Sequence, residues 1–440
     1  MASIQKKHML SWGLGSLGVA ILFNTQTVLL TRFMTDEMGI AASTAGFLLL
    51  ISKLYDAVTD PVMGYITDHT DSKWGRRRPW IFLGGVGSAC SFIYLFNIPS
   101  SLSAITGVFI GLIAYSTFYT IFNVPYLSMP AEMSTDPNDR STLIAWRVRA
   151  IGLGQLIGTS LAPAMVIWLG GGLAGHGFMA LILGILAMIS IIMCAIGTGG
   201  AKQTIPQDKQ KLLTWNSIKL IFENKPFLFL ILTKFLQLTG TAISLGTTAY
   251  LFQYWLGKTF YELSLYFAIG SVVIILVQPF WIKMIKRYPK SELYKVAAVG
   301  FALVACSWYF TDSNAGTLDI VLRGGIYGIF TGGLLLMGQA MLPDTIHYDF
   351  QKTGLRREGI FAGLYTTAEK LSFAIGGAMA GFLLQYFGYR SSMSKQIVLQ
   401  SEETVFGIFI LSAFIPAVLM SLSCVPLHFY RLKESDLAKE

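Results

Sequence analysis

Long apolar segments alternate with short polar loops along almost the whole chain. Most of these segments exceed the roughly 20 residues that a helix needs to cross a bilayer. Twelve can be delimited, at approximately 9–32, 42–67, 79–98, 103–131, 143–169, 177–198, 226–256, 261–283, 293–311, 319–347, 358–388 and 403–430. The pattern predicts an all-α membrane protein with twelve transmembrane helices.

The longest polar interruption divides these segments into two groups of six. It predicts four regions: a six-helix bundle at 1–198, a cytoplasmic linker at 199–225, a second six-helix bundle at 226–430 and a cytoplasmic tail at 431–440. The fourth segment of each half also ends on a proline followed closely by an acid, Pro130 with Glu132 and Pro343 with Asp344. This weak repeat favours two bundles related by an axis along the membrane normal.

Charge is scarce and is concentrated in the loops. Only 13% of the residues are charged, whereas soluble proteins average about 25%. The 33 Lys+Arg exceed the 24 Asp+Glu, and the basic residues lie mostly in loops on the side of the N-terminus. By the positive-inside rule, both termini are predicted to be cytoplasmic in the plasma (inner) membrane. The excess of basic residues is thus explained without a nucleic-acid partner, and we expect a monomer in the lipid bilayer.

Two acids lie near the middle of the second apolar segment. Asp56 and Asp60 are four residues apart, so a helix places them on one face, with Lys53 one turn earlier. A charged side chain at that depth costs about 2.5–3.5 kcal/mol on insertion scales, and such residues usually mark ion or proton pathways. The pair therefore predicts a cation site, although Lys53 could also pair with Asp56 structurally.

The loop after this segment combines an acid with a run of arginines. Asp68 is followed by Gly75 and by Arg76, Arg77 and Arg78. We expect these residues, with Arg140 and Arg356 in later loops on the same side, to form a cytoplasmic gate. The alternative is that the arginines only set the topology.

Four stretches resemble a known transporter family. The motif D-A-x-x-D-P-x-x-G…W-G-R-R-R-P runs from Asp56 to Pro79. The others are Y-T-I-F-N-V-P-Y at 119–126, D-R-S-T-L-I-A-W-R at 139–147 and R-R-E-G-I-F-A-G-L-Y…E-K at 356–370. Together they resemble the glycoside–pentoside–hexuronide:cation symporters, the melibiose permease group of the major facilitator superfamily. The resemblance implies the major facilitator fold and alternating access.

The resemblance also implies roles for individual residues. The cation site would comprise Asp56, Asp60, Thr120 and Asn123, and Lys370 would balance its acids. Arg147 would contact the substrate. The aromatic side chains Tyr119, Tyr126 and Trp146 are candidates for stacking on a sugar ring, so with Arg147 and Lys370 they complete the predicted substrate site.

The sequence departs from the melibiose permease pattern at three positions. The helix-one acid that binds galactosides aligns with Ala20, the helix-four acid with Asn123 and the helix-four tryptophan with Leu127. These departures argue against a galactoside and favour an anionic or amphiphilic substrate.

The prediction is thus a cation-coupled symporter of a sugar, glycoside or uronide, with no cofactor. The coupling ion stays open: Na⁺ needs several hard oxygen ligands, whereas a proton needs one buried acid, and the absence of a third acid slightly favours H⁺. One alternative is a lipid or lysolipid transporter of the same fold. A remote alternative is an intramembrane prenyltransferase, because D-x-x-x-D motifs hold Mg²⁺-diphosphate in such enzymes, but a second motif of that spacing is missing.

Overall fold

The computed structural model describes residues 5–133, 137–200, 224–311, 313–353, 358–391, 399–430 and 432. The regular elements in these ranges are helices. They are α1 (Lys6–Arg32), α2 (Ala42–Asp68), α3 (Arg78–Leu95), α4 (Ala104–Met133), α5 (Pro137–Leu156), α6 (Ala162–Trp168), α7 (Gly172–Gly197), α8 (Lys225–Tyr250), α9 (Phe260–Leu276), α10 (Gln278–Ile285), α11 (Lys290–Ser307), α12 (Thr317–Thr353), α13 (Glu358–Tyr386), α14 (Glu402–Phe409), α15 (Ile415–Leu422) and α16 (Cys424–His428). Each predicted apolar segment coincides with one of these helices or with a consecutive group of them, which confirms the all-α prediction.

Helix α7 illustrates why these segments suit a membrane. One face is buried against its own unit, for example at Met179, Leu183 and Ala187. The opposite face is exposed yet equally apolar, with Phe178, Ile182, Ile185, Ile189, Met193 and Ile196 spaced three or four residues apart. A helix that is apolar all round belongs in lipid or in a large core. Its 26 residues span about 39 Å at 1.5 Å per residue, more than the thickness of a bilayer core.

Within the described residues, eight helices are long and apolar enough to cross a membrane. The number rises to nine if α9 and α10, which meet at a bend of 41°, count as one span. Pro279 at the start of α10 lies at this bend, where proline breaks the helical hydrogen-bond ladder. Helix α2 is not among the eight, since Lys53, Asp56 and Asp60 lower its hydropathy.

Two other predicted spans are interrupted by a π-helical turn. Ile157–Leu161 joins α5 to α6, and Ile410–Phe414 joins α14 to α15. In both, a proline lies two residues after the turn, at Pro163 and Pro416. Because proline cannot donate a backbone hydrogen bond, the ladder is already broken there, and a wider turn is accommodated at little further cost.

The described residues form two units. Unit 1 comprises Met1–Lys209 together with Tyr389–Leu399, and unit 2 comprises Gln210–Gly388 together with Gln400–Glu440. The predicted linker, 199–225, and the predicted tail, 431–440, lie mostly outside the described residues.

The same order of helix packing occurs in each unit. In unit 1, α1 packs on α5 and α7, while α3 packs on α4 and α7 and α2 packs on α4. In unit 2, α8 packs on α13 and α15, while α11 packs on α12 and α15 and α9 packs on α12. Counting the broken spans as one each, the two lists match span for span. The packing thus supports the internal repeat expected from the sequence.

The segment after α13 belongs to unit 1 although α13 itself belongs to unit 2. The hydroxyl of Tyr389 donates a hydrogen bond to the carboxylate of Asp36. Thr35 Oγ1 donates to the same carboxylate at 2.8 Å, and Arg32 Nε pairs with it at 3.2 Å. These donors account for an acid that is buried just beyond the end of α1.

Glycines allow the first and fifth spans of each unit to approach closely. On α5, a Cβ atom at Gly154 would lie 2.6 Å from Ala20 Cβ on α1. On α13, a Cβ atom at Gly376 would lie 2.6 Å from Ala242 Cβ and 2.8 Å from the Thr239 carbonyl oxygen on α8. Small residues at such contacts let helix backbones pack tightly in membranes.

We therefore expect Gly376→Ala to destabilise unit 2 by about 1–3 kcal/mol, the usual cost of overpacking. The added methyl group meets backbone and Cβ atoms that cannot rotate away. Thermal unfolding of purified protein in detergent, followed by tryptophan fluorescence, would measure the loss. Gly246→Ala is the matched control on the same helix pair, because its Cβ would lie 4.0 Å from Ala380 Cβ. Equal unfolding temperatures for the two variants would contradict the close-packing argument.

Candidate functional site

A polar seam joins α2 to α4 inside unit 1. Ser116 Oγ donates to the Ser52 carbonyl oxygen at 3.3 Å. The hydroxyls of Tyr55 and Thr117 are hydrogen-bonded at 3.0 Å. Such contacts between transmembrane helices are limited in number and fix the register of the pair. The seam therefore sets which side chains of α4 face the acids of α2.

Asp60 and Thr120 are two predicted site residues that the structure connects by a hydrogen bond. Thr120 is buried, and its Oγ1 donates to Asp60 Oδ1 at 2.8 Å. Asn123 follows one turn later on α4 and is partly buried. The structure records no hydrogen bond to its amide from any described residue. A carboxylate and a hydroxyl thus meet at this point, with an amide one turn away.

Asp56 has a different set of partners. Its carboxylate is buried, and Oδ2 lies 3.3 Å from Lys53 Nζ, one turn earlier on the same helix. Its other oxygen, Oδ1, is buried without a hydrogen-bond donor from the described residues. The two acids therefore differ: Asp60 accepts from α4, whereas Asp56 is held by its own helix.

Two stacked tyrosines of α4 lie in the field of Asp56. The rings of Tyr115 and Tyr119 have centroids 5.8 Å apart with an interplanar angle of 28°. Asp56 interacts electrostatically with both phenols, and Arg147 interacts with that of Tyr119. Arg147 Nε is buried and, within the described residues, has no hydrogen-bond acceptor. The structure thus connects Asp56, Tyr119 and Arg147 through their charges and dipoles.

Tyr126 and Trp146 lie elsewhere, at a packed core of unit 1. Tyr126 is buried and stacks on Trp12 at 4.9 Å. Its hydroxyl donates to the Trp12 carbonyl oxygen at 2.9 Å and is also hydrogen-bonded to Ser16 Oγ at 2.7 Å. Trp146 packs against the same core and carries Arg149 over its ring at 5.3 Å. Because the ring of Tyr126 stacks on Trp12 and its hydroxyl is hydrogen-bonded within the core, Tyr126 is not available to contact a substrate.

Lys370 and a second lysine lie in unit 2. Lys370 is partly buried on α13. Lys234 on α8 is 3% exposed, donates to Gln237 Oε1 at 2.6 Å and interacts electrostatically with Glu369 on α13. Gly338 on α12 makes room for it, because a Cβ there would lie 2.9 Å from the ammonium nitrogen. These contacts favour a structural pairing role for Lys234 over a role in lining a cavity.

The described contacts of the predicted gate lie within unit 1. Arg77 is buried and donates to Thr67 Oγ1 at 2.5 Å. Arg78 Nε donates to the Ala195 carbonyl oxygen at 2.7 Å, near the C-terminal end of α7, where carbonyl groups attract a cation. Arg356 and the side chains of Asp68 and Arg140 lie outside the described residues. The gate, including partly buried Arg76, stays a prediction.

Two residues near these clusters escaped the sequence analysis. Tyr115 precedes Tyr119 by four residues, so helical spacing could have indicated that the two rings lie on one face of α4. Glu369 is adjacent to Lys370 in an apolar segment, but only the packing of α8 on α13 shows that it interacts with Lys234.

Comparison with known proteins gives a consistent result. A sequence profile of the family described as MFS/sugar transport protein matches residues 11–434. Among individual proteins, the chain is 26% identical over 440 residues to YagG of Escherichia coli (strain K12), whose name describes a glycoside/cation symporter. That match covers 99% of this chain and 94% of the relative. The chain is also 26% identical to a protein of the same strain named for sulfoquinovose import, covering 98% of this chain and 92% of the relative.

Solved structures show the same fold at lower sequence identity. The crystal structure of a D-xylose-proton symporter superposes with a TM-score of 0.67 at 15% identity. The match covers 97% of each chain. At this level of identity the comparison supports the fold alone.

Proposed function

The chain belongs to the MFS/sugar transport protein family, so it is a multi-pass membrane transporter and not an enzyme. We propose how this transporter couples the movement of its substrate to that of a cation. We infer that it carries a sugar or a sugar derivative in symport with a monovalent cation. In major facilitator proteins, transport proceeds by alternating access. The observation that carries the proposal is the hydrogen bond from Thr120 on α4 to Asp60 on α2. This bond holds the Asp60 carboxylate within the apolar part of the protein.

We assign the coupling cation to the carboxylates of Asp56 and Asp60, with Thr120 and Asn123 beside them. Carboxylate, hydroxyl and amide oxygens are hard ligands of the kind that Na⁺ prefers, and a carboxylate equally accepts a proton. When the cation binds, it cancels negative charge that is unfavourable in a low-dielectric surrounding. The cation-bound carrier can then undergo the transition with its cargo.

For the substrate, we propose an anionic sugar derivative, such as a uronide or a sulfonated sugar. Arg147 provides a partly buried guanidinium, and a guanidinium binds carboxylate or sulfonate groups through two parallel hydrogen bonds. Tyr119 lies within its electrostatic range and offers a ring for stacking. The relative named for sulfoquinovose import supports this class, because sulfoquinovose carries a sulfonate group.

The orientation and the oligomeric state are also proposals. The basic residues of the loops support cytoplasmic termini by the positive-inside rule, and we propose that the monomer is the transporting unit.

Uptake into proteoliposomes tests the proposal. Labelled methyl β-D-glucuronide, sulfoquinovose, methyl β-D-xyloside and lysophosphatidylcholine would be compared under an imposed Na⁺ gradient or pH gradient. We expect at least one anionic sugar to accumulate when one of the two gradients is present and to equilibrate only when neither is. Accumulation of the xyloside alone would contradict the substrate class, and accumulation of the lysolipid alone would contradict sugar transport altogether.

Arg147→Lys is expected to weaken binding of the accumulated anionic sugar by about 10- to 100-fold. Lysine keeps the charge but loses the planar fork of donors, and a hydrogen bond to a charged group contributes about 1.5–3 kcal/mol. The half-saturating substrate concentration for uptake measures the effect. Arg149→Lys is the matched control, because Arg149 lies two residues away and is exposed beside the Trp146 ring. Equal losses in both variants would contradict the role of Arg147.

A further inference from the structure

The ion pair between Lys53 and Asp56 has an unusual geometry for a buried acid. The side chain of Asp56 is only 3% exposed, whereas that of Lys53 is 21% exposed. Their separation of 3.3 Å exceeds the 2.7–2.9 Å of a typical charge-assisted hydrogen bond. Both residues lie on α2, one turn apart, so the ammonium reaches Asp56 from one side and contacts Oδ2 alone. The pair is therefore loosely held, and its cation can be displaced.

The other side of the Asp56 carboxylate is not satisfied by the part of the chain that the structure describes. Neither Asp56 Oδ1 nor the nearby hydroxyl of Tyr115 has a hydrogen-bond partner there, although both atoms are buried. The two groups interact electrostatically across α2 and α4. A buried carboxylate oxygen that has no hydrogen-bond donor can accept a small cation.

A second position is within reach of the Lys53 ammonium. Nζ lies 6.0 Å from the centroid of the Phe23 ring on α1, at the outer limit of a cation–π contact. The lysine side chain has a flexible stem of about four carbons, so the ammonium can move from Asp56 toward this ring without any shift of the backbone. The Lys53 ammonium can therefore leave Asp56 and still have a favourable neighbour in the Phe23 ring.

We propose that Lys53 is a tethered cation that competes with the coupling ion for Asp56. When the coupling ion is absent, the ammonium of Lys53 neutralises the Asp56 carboxylate. When the ion binds between the two acids and takes Asp56 Oδ1 as a ligand, the ammonium moves toward Phe23. This inference rests on the proposed symport, to which it adds a residue that tunes ion affinity.

The exchange addresses a requirement of every symporter. After releasing its cargo and its ion, the carrier must return without either, and an uncompensated carboxylate in the membrane would oppose that step. Lys53 supplies the missing positive charge only in this state, because the bound ion displaces it in the loaded carrier. The lysine thus lowers the ion affinity and in exchange permits the return.

Charge displacement on a solid-supported membrane tests the competition without any substrate. Proteoliposomes would receive stepwise NaCl jumps at constant pH and stepwise pH jumps at constant NaCl. For whichever cation produces a signal in the wild type, we expect Lys53→Met to lower the half-saturating concentration about tenfold. Lys53→Arg, which keeps the charge, should stay within about twofold of the wild type.

The outcomes separate this inference from the proposed function. A wild-type protein that responds to neither cation contradicts the proposed symport and the competition with it. A cation response with equal half-saturating concentrations in the wild type and Lys53→Met leaves symport intact and overturns the competition. Lys53→Gln, a neutral hydrogen-bonding variant, covers the case in which Lys53→Met does not fold. If neither neutral variant folds while Lys53→Arg does, Lys53 is a structural partner of Asp56 and the inference is overturned.

Discussion

Replacing Asp60 with asparagine is expected to abolish the uphill accumulation of substrate while sparing part of the exchange of substrate across the membrane. Asparagine has nearly the same size, and its amide oxygen can still accept the hydrogen bond from Thr120 Oγ1. The helices α2 and α4 should therefore keep their contact. Only the negative charge is removed, and with it the group whose neutralisation makes transport depend on the cation.

The measurement is uptake of the accumulated sugar in proteoliposomes with and without a cation gradient, paired with exchange against internal substrate. Asp319→Asn is the control, because Asp319 pairs with Arg323 at 2.9 Å near the start of α12 and its side chain is 38% exposed. This control should accumulate substrate like the wild type. Unchanged accumulation by folded Asp60→Asn would show that the coupling site lies elsewhere.

Replacing Glu369 with glutamine is expected to produce a large loss of stability, about 2–3 kcal/mol. Glu369 carries a negative charge that interacts with the ammonium of Lys234, and its removal leaves that buried positive charge less compensated. The ammonium of Lys234 is 3% exposed, and its hydrogen bond to Gln237 remains in the variant. Thermal unfolding in detergent, or the monodisperse fraction that survives heating, measures the effect.

Adding a substitution at Lys234 shows whether the loss of stability comes from the uncompensated positive charge or from the loss of the glutamate side chain itself. In the double variant Lys234→Met and Glu369→Gln, both charges are absent, so much of the stability should return. Glu292→Gln is the surface control: Glu292 pairs with Lys295 at 2.8 Å, but its side chain is 58% exposed, and exposed pairs contribute about 1 kcal/mol or less. If Glu369→Gln is no less stable than Glu292→Gln, Lys234 does not depend on Glu369.

The positions of the helices could be predicted closely from the chain itself. The second span was expected at 42–67 and is found at Ala42–Asp68, and the fourth was expected at 103–131 and is found at Ala104–Met133. Apolar length determines these bounds, because a backbone in lipid must satisfy its own hydrogen bonds and a helix does so locally. The π-helical turns at Ile157–Leu161 and Ile410–Phe414 were not anticipated, since a proline in a membrane helix can be accommodated in several ways.

The site was predicted less completely, and the reason lies in contacts between helices. Helical spacing places Asp56 and Asp60 on one face of α2 without any knowledge of neighbours. It does not reveal that Asp60 accepts a hydrogen bond from Thr120 while Asp56 Oδ1 has no donor among the described residues. It also could not separate Tyr119, in the field of Asp56 and Arg147, from Tyr126, which stacks on Trp12 in the core.

The sequence by itself determined that this chain is a multi-pass helical membrane protein and, to within a few residues, where most of its apolar segments lie. These properties depend on length, hydropathy and spacing along one helix. The tertiary structure decided which partners Asp56 and Asp60 have and which glutamate interacts with the buried ammonium of Lys234. Such choices depend on the register between helices, and register is the sum of many small contacts, such as those at Gly154 and Gly376, that involve residues far apart in the chain.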